Sequence, residues 1–238
     1  MSQVPPPPPP PEPPSFPPPS SPPPSFPPAG PPSAFSPGAA FGYGWSAFWK
    51  NVGPMVGITI VIWLVSLVLN LLGRATGSAG SVIFGLIGLV VSFILGMGLI
   101  RASLAVTRGE KPEISMLTNT DRLGPYAVAA ILFFIGAVIG FALVIIPGII
   151  FVLIYMFHGY VIVDSPTEIS GIDALKASGE LTKGHRGELF LLVLILLGVN
   201  IVGLLLCGIG LLFTYGISAI TVAAAYRMLK GEPLAPVG

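Results

Sequence analysis

Four long apolar stretches decide what this chain can fold into. Two contain about 20 residues (52–72 and 81–100), and two contain 39 residues (125–163 and 188–226). Apart from Glu188, which opens the last stretch, none of them carries an Asp, Glu, Lys or Arg residue. Because about 20 helical residues cross ~30 Å of hydrocarbon, each of the first two stretches predicts one membrane-spanning helix.

The two 39-residue stretches are too long for one span each, and both contain a turn signal near the centre. The signals are Ile146-Pro147-Gly148 in one and Cys207-Gly208-Ile209-Gly210 in the other. We therefore predict an all-α integral membrane protein, a six-helix transmembrane bundle. Its spans cover about 52–72, 81–100, 126–146, 148–163, 189–206 and 210–226. Since the arms of the last two hairpins have only ~18–20 residues, four spans with two re-entrant hairpins is the alternative.

Composition excludes several other classes of protein. The chain has 53% hydrophobic and only 9% charged residues, whereas about a quarter of the residues of soluble domains are charged. A net charge of +1 gives no reason to expect a nucleic-acid partner. The single cysteine, Cys207, excludes an intrachain disulfide and a thiolate metal cluster. We expect no cofactor, and the oligomeric state stays open.

The basic residues predict the orientation of the bundle. Ten of the eleven Lys and Arg residues fall in four segments that lie on one side of six spans, and Arg74 is alone on the other. The segments are the stretch before the first span, the connectors 101–124 and 164–187, and the chain from Arg227 onward. The positive-inside rule makes this side cytoplasmic, so both termini, including a tail over 231–238, are predicted to be cytoplasmic.

Residues 1–38 predict a disordered, proline-rich cytoplasmic tail. Twenty of the 27 prolines lie in the first 40 residues, and such a chain is extended and lacks amide donors. Phe16 and Phe26 occupy equivalent places in two Pro-Pro-Ser-Phe-Pro-Pro repeats. They are candidate docking residues for the proline-binding groove of a cytoplasmic protein. The simpler alternative is a semi-rigid spacer.

The segment 39–51 is aromatic, with Phe41, Trp45 and Phe48 at helical spacing. Tryptophan and tyrosine favour the headgroup layer of a bilayer, so we predict a short helix that lies at the interface and leads into the first span. An aromatic belt without a helix is the alternative.

The connector 164–187 is predicted to contain an amphipathic helix. Ser165-Pro166-Thr167-Glu168 has the pattern of a capping box with proline at the first helical position, so we expect the helix to begin there. Its apolar side consists of Ile169, Ile172, Ala174 and Leu175. Such a helix contacts lipid headgroups or a partner, or it simply covers the inner ends of the bundle.

Few polar residues lie in the predicted spans. His158 is the only titratable candidate, and Asn70 and Asn200 are expected to form interhelical hydrogen bonds. His158 is a candidate lipid or substrate contact, as are Lys183, His185 and Arg186, which form a basic cluster before the fifth span. Gly136 and Gly140 form a GxxxG pair that allows close helix packing, which we expect within the chain.

Three basic-glycine elements repeat on the predicted cytoplasmic side. They are Thr107-Arg108-Gly109-Glu110, Thr182-Lys183-Gly184-His185 and Leu229-Lys230-Gly231-Glu232. Repeated hairpins are typical of transporters. Helix capping by glycine beside a cation explains the same pattern, and we favour that interpretation.

Three stretches carry a resemblance to a family. They are Asp164-Ser165-Pro166 with residues 172–184 (IDALKASGELTKG), Gly42-Tyr43-Gly44-Trp45 with Phe48, and Gly208-Ile209-Gly210 with Ala225-Tyr226-Arg227. The chain over 38–231 thereby resembles YciC-like bacterial inner-membrane proteins and the membrane domain of some glycerophosphodiester phosphodiesterases. The proline-rich start is similar to actinobacterial members of the proline- and glycine-rich type. The resemblance implies a six-span protein of the bacterial inner membrane and no particular reaction.

Three classes of function follow. A non-enzymatic scaffold or accessory subunit, which recruits a cytoplasmic partner through the proline-rich tail, is the favoured hypothesis, because carriers usually line their site with charges or broken helices. A carrier or lipid-handling protein is the alternative. An enzyme is the least favoured, since no phosphate-binding loop and no G-x-S-x-G nucleophile motif is present, and we predict no catalytic residue.

Overall fold

A computed structural model describes residues 35–206 and 208–237, and the regular secondary structure of this part of the chain is entirely helical, without a strand. The helices are α1 (Pro37–Lys50), α2 (Val52–Ala75), α3 (Gly77–Thr107), α4 (Leu123–Leu143), α5 (Ile145–Tyr155), α6 (His158–Asp164), α7 (Gly171–Leu181), α8 (Arg186–Leu205) and α9 (Gly210–Leu229), with a 3₁₀ turn at Ile114–Leu117. The predictions for residues 1–34 of the tail, including Phe16 and Phe26, and for Cys207 lie outside the described residues. The predicted boundary at residue 38 is wrong, because Pro37 and Gly38 already belong to α1. The all-α prediction is confirmed.

Six helical segments are long and apolar enough to cross a bilayer, so the chain is a multi-pass membrane protein. They are Val52–Ala75, Gly77–Thr107, Leu123–Leu143, Ile145–Asp164, Arg186–Leu205 and Gly210–Leu229. The predicted spans lie within these segments except at a few terminal residues. The largest difference is α3, whose 31 residues give a length of about 46 Å. Its last turns therefore extend beyond the hydrocarbon.

The spans form three hairpins, α2–α3, α4–α5 and α8–α9. The second hairpin turns at Val144, which is extended (φ −161°, ψ 147°), and not at Pro147 as the sequence suggested. Pro147 lies in the first turn of α5, where its missing N–H leaves no hydrogen bond unmade. Close approach of the helices fixes this turn, because a Cβ on Gly140 would lie 2.9 Å from the Cα of Gly148.

The fourth span is interrupted, a feature the sequence did not predict. Helix α5 ends at Tyr155 and α6 begins at His158. The amide freed at Phe157 donates to the Ser178 hydroxyl of α7 at 3.1 Å. The Ser178 hydroxyl in turn donates to the carbonyl of Ile154 at 3.0 Å. The break therefore persists because a neighbouring helix supplies the missing partners.

Two regions of the molecule differ in burial. The hairpin tips, which we define as residues 60–90, 128–150 and 190–209, expose most of their large apolar side chains. The basic layer consists of α1, α6, α7, the 3₁₀ turn, the second halves of α3 and α9, and residues 231–237. It contains most fully buried side chains, including Phe48, Met97, Leu104, Ile162 and Ile220. Hydrocarbon covers the exposed apolar side chains of the tips, whereas the basic layer is packed like a soluble core.

Helix α1 belongs to the basic layer and packs lengthwise on α9. A Cβ on Gly44 would strike the Thr221 hydroxyl and lie 2.9 Å from the Thr221 Cα. Farther along α1, the Phe48 ring lies 6.2 Å from that of Phe213, centroid to centroid. Because positions rise along α1 as they fall along α9, the two helices are antiparallel. The predicted aromatic segment is therefore a helix built into the bundle.

Helix α7 begins later than the predicted capping box. Ser165 ends α6 and its amide donates to the Val161 carbonyl at 3.1 Å, so it does not cap the following helix. The cap is Ser170, whose hydroxyl accepts from the Asp173 amide at 3.1 Å and donates to the Asp173 carboxylate at 2.7 Å. A serine cap of the expected kind thus forms five residues downstream, with the Asp173 carboxylate bonded to the cap hydroxyl.

The apolar side predicted for α7 is correct for Ala174, which is buried, and in part for Ile169 and Leu175, which pack against the core, but it is wrong for Ile172. The buried residues are the small Gly171, Ala174 and Ser178, whereas Ile172 is 53% exposed. A Cβ on Gly171 would lie 2.7 Å from the Pro125 carbonyl oxygen at the start of α4. Small residues let α7 lie directly on the ends of α4 and α5, which agrees with the covering role considered for this helix.

Candidate functional site

The centre of the basic layer is Asp164, the last residue of α6. Its side chain is only 5% exposed and forms ion pairs with Arg108 and Lys230. The Lys230 Nζ lies 2.5 Å from Oδ2 of Asp164. The Tyr226 hydroxyl donates to the same oxygen at 3.1 Å. One carboxylate thus joins the ends of three helices that are far apart in sequence.

The two cations reach Asp164 because α3 and α9 end in the same way. In α3 the Glu110 amide donates to the Ala105 carbonyl at 2.9 Å, and in α9 the Glu232 amide donates to the Arg227 carbonyl at 2.9 Å. Gly109 (φ 82°) and Gly231 (φ 71°) provide the left-handed residue that this Schellman cap requires. Capping therefore accounts for the basic-glycine elements in these two helices.

A second ring of contacts fixes the end of α9. The Arg227 guanidinium donates to Glu232 and to the Thr107 carbonyl, at 3.1 and 3.0 Å. The Ala235 amide donates to the same carbonyl at 2.9 Å. Burial lowers the pKa of Lys230, but its hydrogen bonds to Asp164 and Glu232 outweigh this effect and hold the pKa above its usual value. Lys230 therefore stays charged at neutral pH.

Two further arginines hold the connectors through backbone carbonyls. Arg101 donates to the carbonyls of Asn119 and Asp121, the latter at 2.6 Å. Arg122 donates to the carbonyls of Ile162, at 2.7 Å, and Ser165. Guanidinium groups suit this task because their planar donors contact two acceptors at once. These basic side chains stabilise the layer from within.

His158, a candidate contact residue, lies at the start of α6 against α4. Its Nδ1 is 2.8 Å from the Tyr155 carbonyl oxygen, and its ring stacks on Phe133 with centroids 4.9 Å apart. The hydrogen bond and the stacking both orient the ring within the bundle.

The other three candidate contacts, Lys183, His185 and Arg186, lie together at the turn between α7 and α8. Lys183 pairs with Glu180 at 3.8 Å, and the His185 Nδ1 lies 2.7 Å from Glu188. The Phe35 ring meets the His185 ring edge-on at 5.8 Å. This turn thus lies beside the point where residues 1–34 join the described chain, and it is separate from the contacts of His158.

Asp164 and Tyr226 are the residues that reasoning from composition and spacing missed. A lone acid after an apolar run gives no sign of its partners, which lie 56 and 66 positions away. The signal was in the resemblance, since Asp164-Ser165-Pro166 and Ala225-Tyr226-Arg227 are two of its short motifs. The structure brings these two motifs into contact.

Comparison with known proteins finds relatives without an assigned function. An uncharacterized protein of Mycobacterium tuberculosis (Rv2560) is 32% identical over 174 residues, covering 68% of this chain and 52% of that protein. An uncharacterized protein of Mycobacterium bovis (Mb2590) has the same identity and coverage. The chain spans about half the length of these curated relatives. No family model and no solved structure matches it.

Proposed function

We propose that this protein is a non-enzymatic membrane scaffold or accessory subunit that holds a cytoplasmic protein through its proline-rich residues 1–34. The observation that carries the proposal is the anchoring of α1, which follows that stretch directly. Ala40, Ala47 and Phe48 of α1 are completely buried. A partner bound upstream would therefore pull on a helix that is packed into the bundle, and not on a loose linker.

The basic layer supports the proposal because ion pairs and hydrogen bonds connect its helices. Asp164 connects α3, α6 and α9, and Arg122 connects the start of α4 to the end of α6. A scaffold needs such a rigid base, since force or orientation is transmitted only through parts that do not yield.

The polar groups within the spans give less support to a carrier of polar solutes. His158 is hydrogen-bonded to the backbone of its own span. Asn200 is bonded to Ser218 and Thr214 of the adjacent helix. A polar passage needs groups that are available to the solute. These two side chains are engaged in packing, and among the asparagines of the spans only Asn70 on α2 forms no hydrogen bond within the described residues.

We also propose that the basic layer faces the cytoplasm of a bacterial cell and that the chain is a YciC-like protein. The four basic segments meet at one end of the bundle, where Arg108, Asp164 and Lys230 are in contact. Arg74 lies at the opposite end of α2. A Cys207→Ser background with one cysteine at Ser78 or Glu113 tests the orientation. An impermeant maleimide should label the first in intact cells and the second only after lysis, and the reverse pattern would contradict the proposal.

The docking role is tested by quantitative co-purification from the native membrane. Three proteins are compared: the full chain, a deletion of residues 1–34, and the double variant Phe16→Ala/Phe26→Ala, which keeps every proline. We expect the deletion to lose a cytoplasmic protein that the full chain retains. Loss in the double variant as well would identify the phenylalanines as anchors. Identical protein sets in the full chain and the deletion would refute the docking role.

A further inference from the structure

An apolar groove runs along the outside of the bundle between α1, α8 and α9. Its volume is about 580 Å³, within the usual range for small-molecule sites. Three glycines contribute to it, Gly198 and Gly203 on α8 and Gly210 on α9. Gly203 and Gly210 bring the two helices together, because a Cβ on Gly210 would lie 2.7 Å from the Gly203 Cα. Gly198, in contrast, leaves open space on the groove side.

The lining of the groove restricts the chemistry of an occupant. Thr214 is the lining residue with a side-chain hydroxyl, and this hydroxyl donates to the Asn200 carboxamide oxygen at 3.1 Å. The remaining walls are leucine, isoleucine, valine, phenylalanine, tryptophan and glycine. A polar ligand would lose its hydration without gaining partners, which costs several kcal/mol for an amide or hydroxyl. The occupant must therefore be a hydrocarbon.

The position of the groove identifies the source of that hydrocarbon. Its α8 and α9 walls belong to two membrane-spanning segments. Leu194, Val202 and Leu206 line it and are 44–63% exposed at the bundle surface. The groove thus opens sideways into the region where the solvent is the acyl chains of lipids.

The α1 wall indicates which end of the groove lies at the headgroups. Trp45 and Trp49 are 46% and 49% exposed, with ring centroids 5.9 Å apart. Within the described chain, neither indole N–H forms a hydrogen bond to protein. Indole rings with an apolar body and a free N–H favour the boundary between hydrocarbon and headgroups. The Trp49 ring lies 6.1 Å from that of Phe213 in the first turn of α9, so Trp45 marks the end of the groove that is farther from the α8–α9 turn.

We propose that the groove is a phospholipid site that holds one acyl chain along α8 and α9, past Trp49, with the headgroup toward Trp45. The bound chain fills the space between α1 and the α8–α9 hairpin and so completes the packing of α1. This site is independent of the docking role, because it involves none of residues 1–34. It gives the lipid-handling class of function a definite location in the fold.

A variant that fills the groove with a larger side chain tests the site. Gly198→Phe adds a ring on the groove side of α8, at a position where a Cβ would have no protein atom within 4 Å. Gly57→Phe is the matched control, because Gly57 is also a helical glycine in a span with open space around its Cβ and lines none of the described cavities. Each protein is reconstituted in phosphatidylglycerol–phosphatidylethanolamine vesicles that contain a phospholipid with a photoreactive diazirine in its acyl chain.

We expect the natural chain and Gly57→Phe to be labelled on α8 and α9 peptides at a specific, saturable level. Gly198→Phe should reduce this labelling about tenfold, because the ring occupies the space of the acyl chain. Equal labelling of all three proteins would overturn the proposal, and so would labelling that maps outside the groove.

Native mass spectrometry distinguishes a bound lipid from a second copy of the chain as the occupant of the groove. If Gly198→Phe changes the oligomeric mass and leaves the number of bound lipids unchanged, a second copy of the chain fills the groove, and the lipid site is wrong. Should the phenylalanine impair folding, Gly198→Leu and Trp45→Ala provide milder versions of the same comparison. Both variants should lower labelling, and unaltered labelling in the two would equally refute the site.

Discussion

The hairpin tips and the basic layer use different physical means of holding helices together. In the most apolar part of α4, 11% of the residues are buried within the protein, whereas in α9 the share is 50%. At the tips, lipid covers what protein leaves exposed, so helices meet through glycine contacts such as Gly140 with Gly148. In the basic layer, buried apolar residues and ion pairs do the work, as in a soluble domain. The arrangement of the three hairpins is therefore decided mainly in the basic layer.

The largest effect is expected from removing the carboxylate at the centre of the basic layer. Asp164→Ala leaves Arg108 and Lys230 without their shared anion. Breaking a buried pair costs about 3–5 kcal/mol. Because the Arg108 side chain is 42% exposed and water screens the charges, we expect about 2–3 kcal/mol. The apparent melting temperature in detergent should fall by about 5–10 °C.

Two variants serve as references for Asp164→Ala. Asp164→Asn keeps an acceptor for Tyr226, so its melting temperature should lie between those of the natural chain and the alanine variant. Glu180→Ala removes the partner of Lys183 in a pair whose side chains are 78% and 73% exposed, and the expected change is below about 0.5 kcal/mol. A similar loss of stability in Asp164→Ala and Glu180→Ala would mean that the basic layer is not a cooperative unit.

The anchoring of α1 gives the next test. Gly44→Ala inserts a methyl group against the backbone of Thr221, which is 2.9 Å away and cannot rotate aside. Overpacking of this kind costs about 1–3 kcal/mol, and protease cleavage near Phe35 should become faster as α1 separates from α9. On the same helix, Gly42 has no atom within 4 Å of its Cβ position. Gly42→Ala should therefore stabilise the protein by up to about 1 kcal/mol through helix propensity. If the two alanine variants change the stability and the cleavage rate alike, α1 does not pack against α9 as described.

The sequence predicted the tips better than the basic layer, for a physical reason. A bilayer of fixed thickness converts a run of apolar residues directly into a helix, so six spans and their approximate limits could be predicted. The pair Gly136 and Gly140 also packs within the chain, against Phe151 and Gly148. Neither prediction needed information about distant residues.

The basic layer depends on contacts between residues distant in the chain, which spacing alone does not reveal. Ser165 and Ser170 both begin a plausible capping box, and only the contact of Ser165 with Arg122 and α6 decides between them. The break after Tyr155 is tolerated because Ser178 bonds Phe157 and Ile154. A single sequence shows each of these residues but not their pairing.

Packing at the hairpin tips can be tested with a second pair of glycines. A Cβ on Gly140 would lie 2.9 Å from the Gly148 Cα, whereas a Cβ on Gly88 in α3 would meet no atom within 4 Å. We expect Gly140→Ala to lower stability by about 1–2 kcal/mol and Gly88→Ala to leave it unchanged or slightly higher. Thermal unfolding in detergent measures both. A clear loss for Gly88→Ala would point to a partner helix from another molecule, and the close packing of helices at the tips would not be confined to one chain.

The smallest effect should come from the two asparagines of the spans, which the sequence could not tell apart. Asn200 donates to Ser218 at 2.8 Å and accepts from Thr214 at 3.1 Å, so Asn200→Leu should cost about 0.6–2 kcal/mol. Asn70, on α2, has no hydrogen-bond partner within the described residues. Asn70→Leu should therefore be neutral or slightly stabilising, because it removes an unpaired amide from hydrocarbon. Equilibrium unfolding of both variants in the same lipid vesicles measures the difference. A cost at Asn70 as large as that at Asn200 would show that the α2–α3 tip has a polar contact outside this chain, and the tips would then carry specific recognition as well as packing.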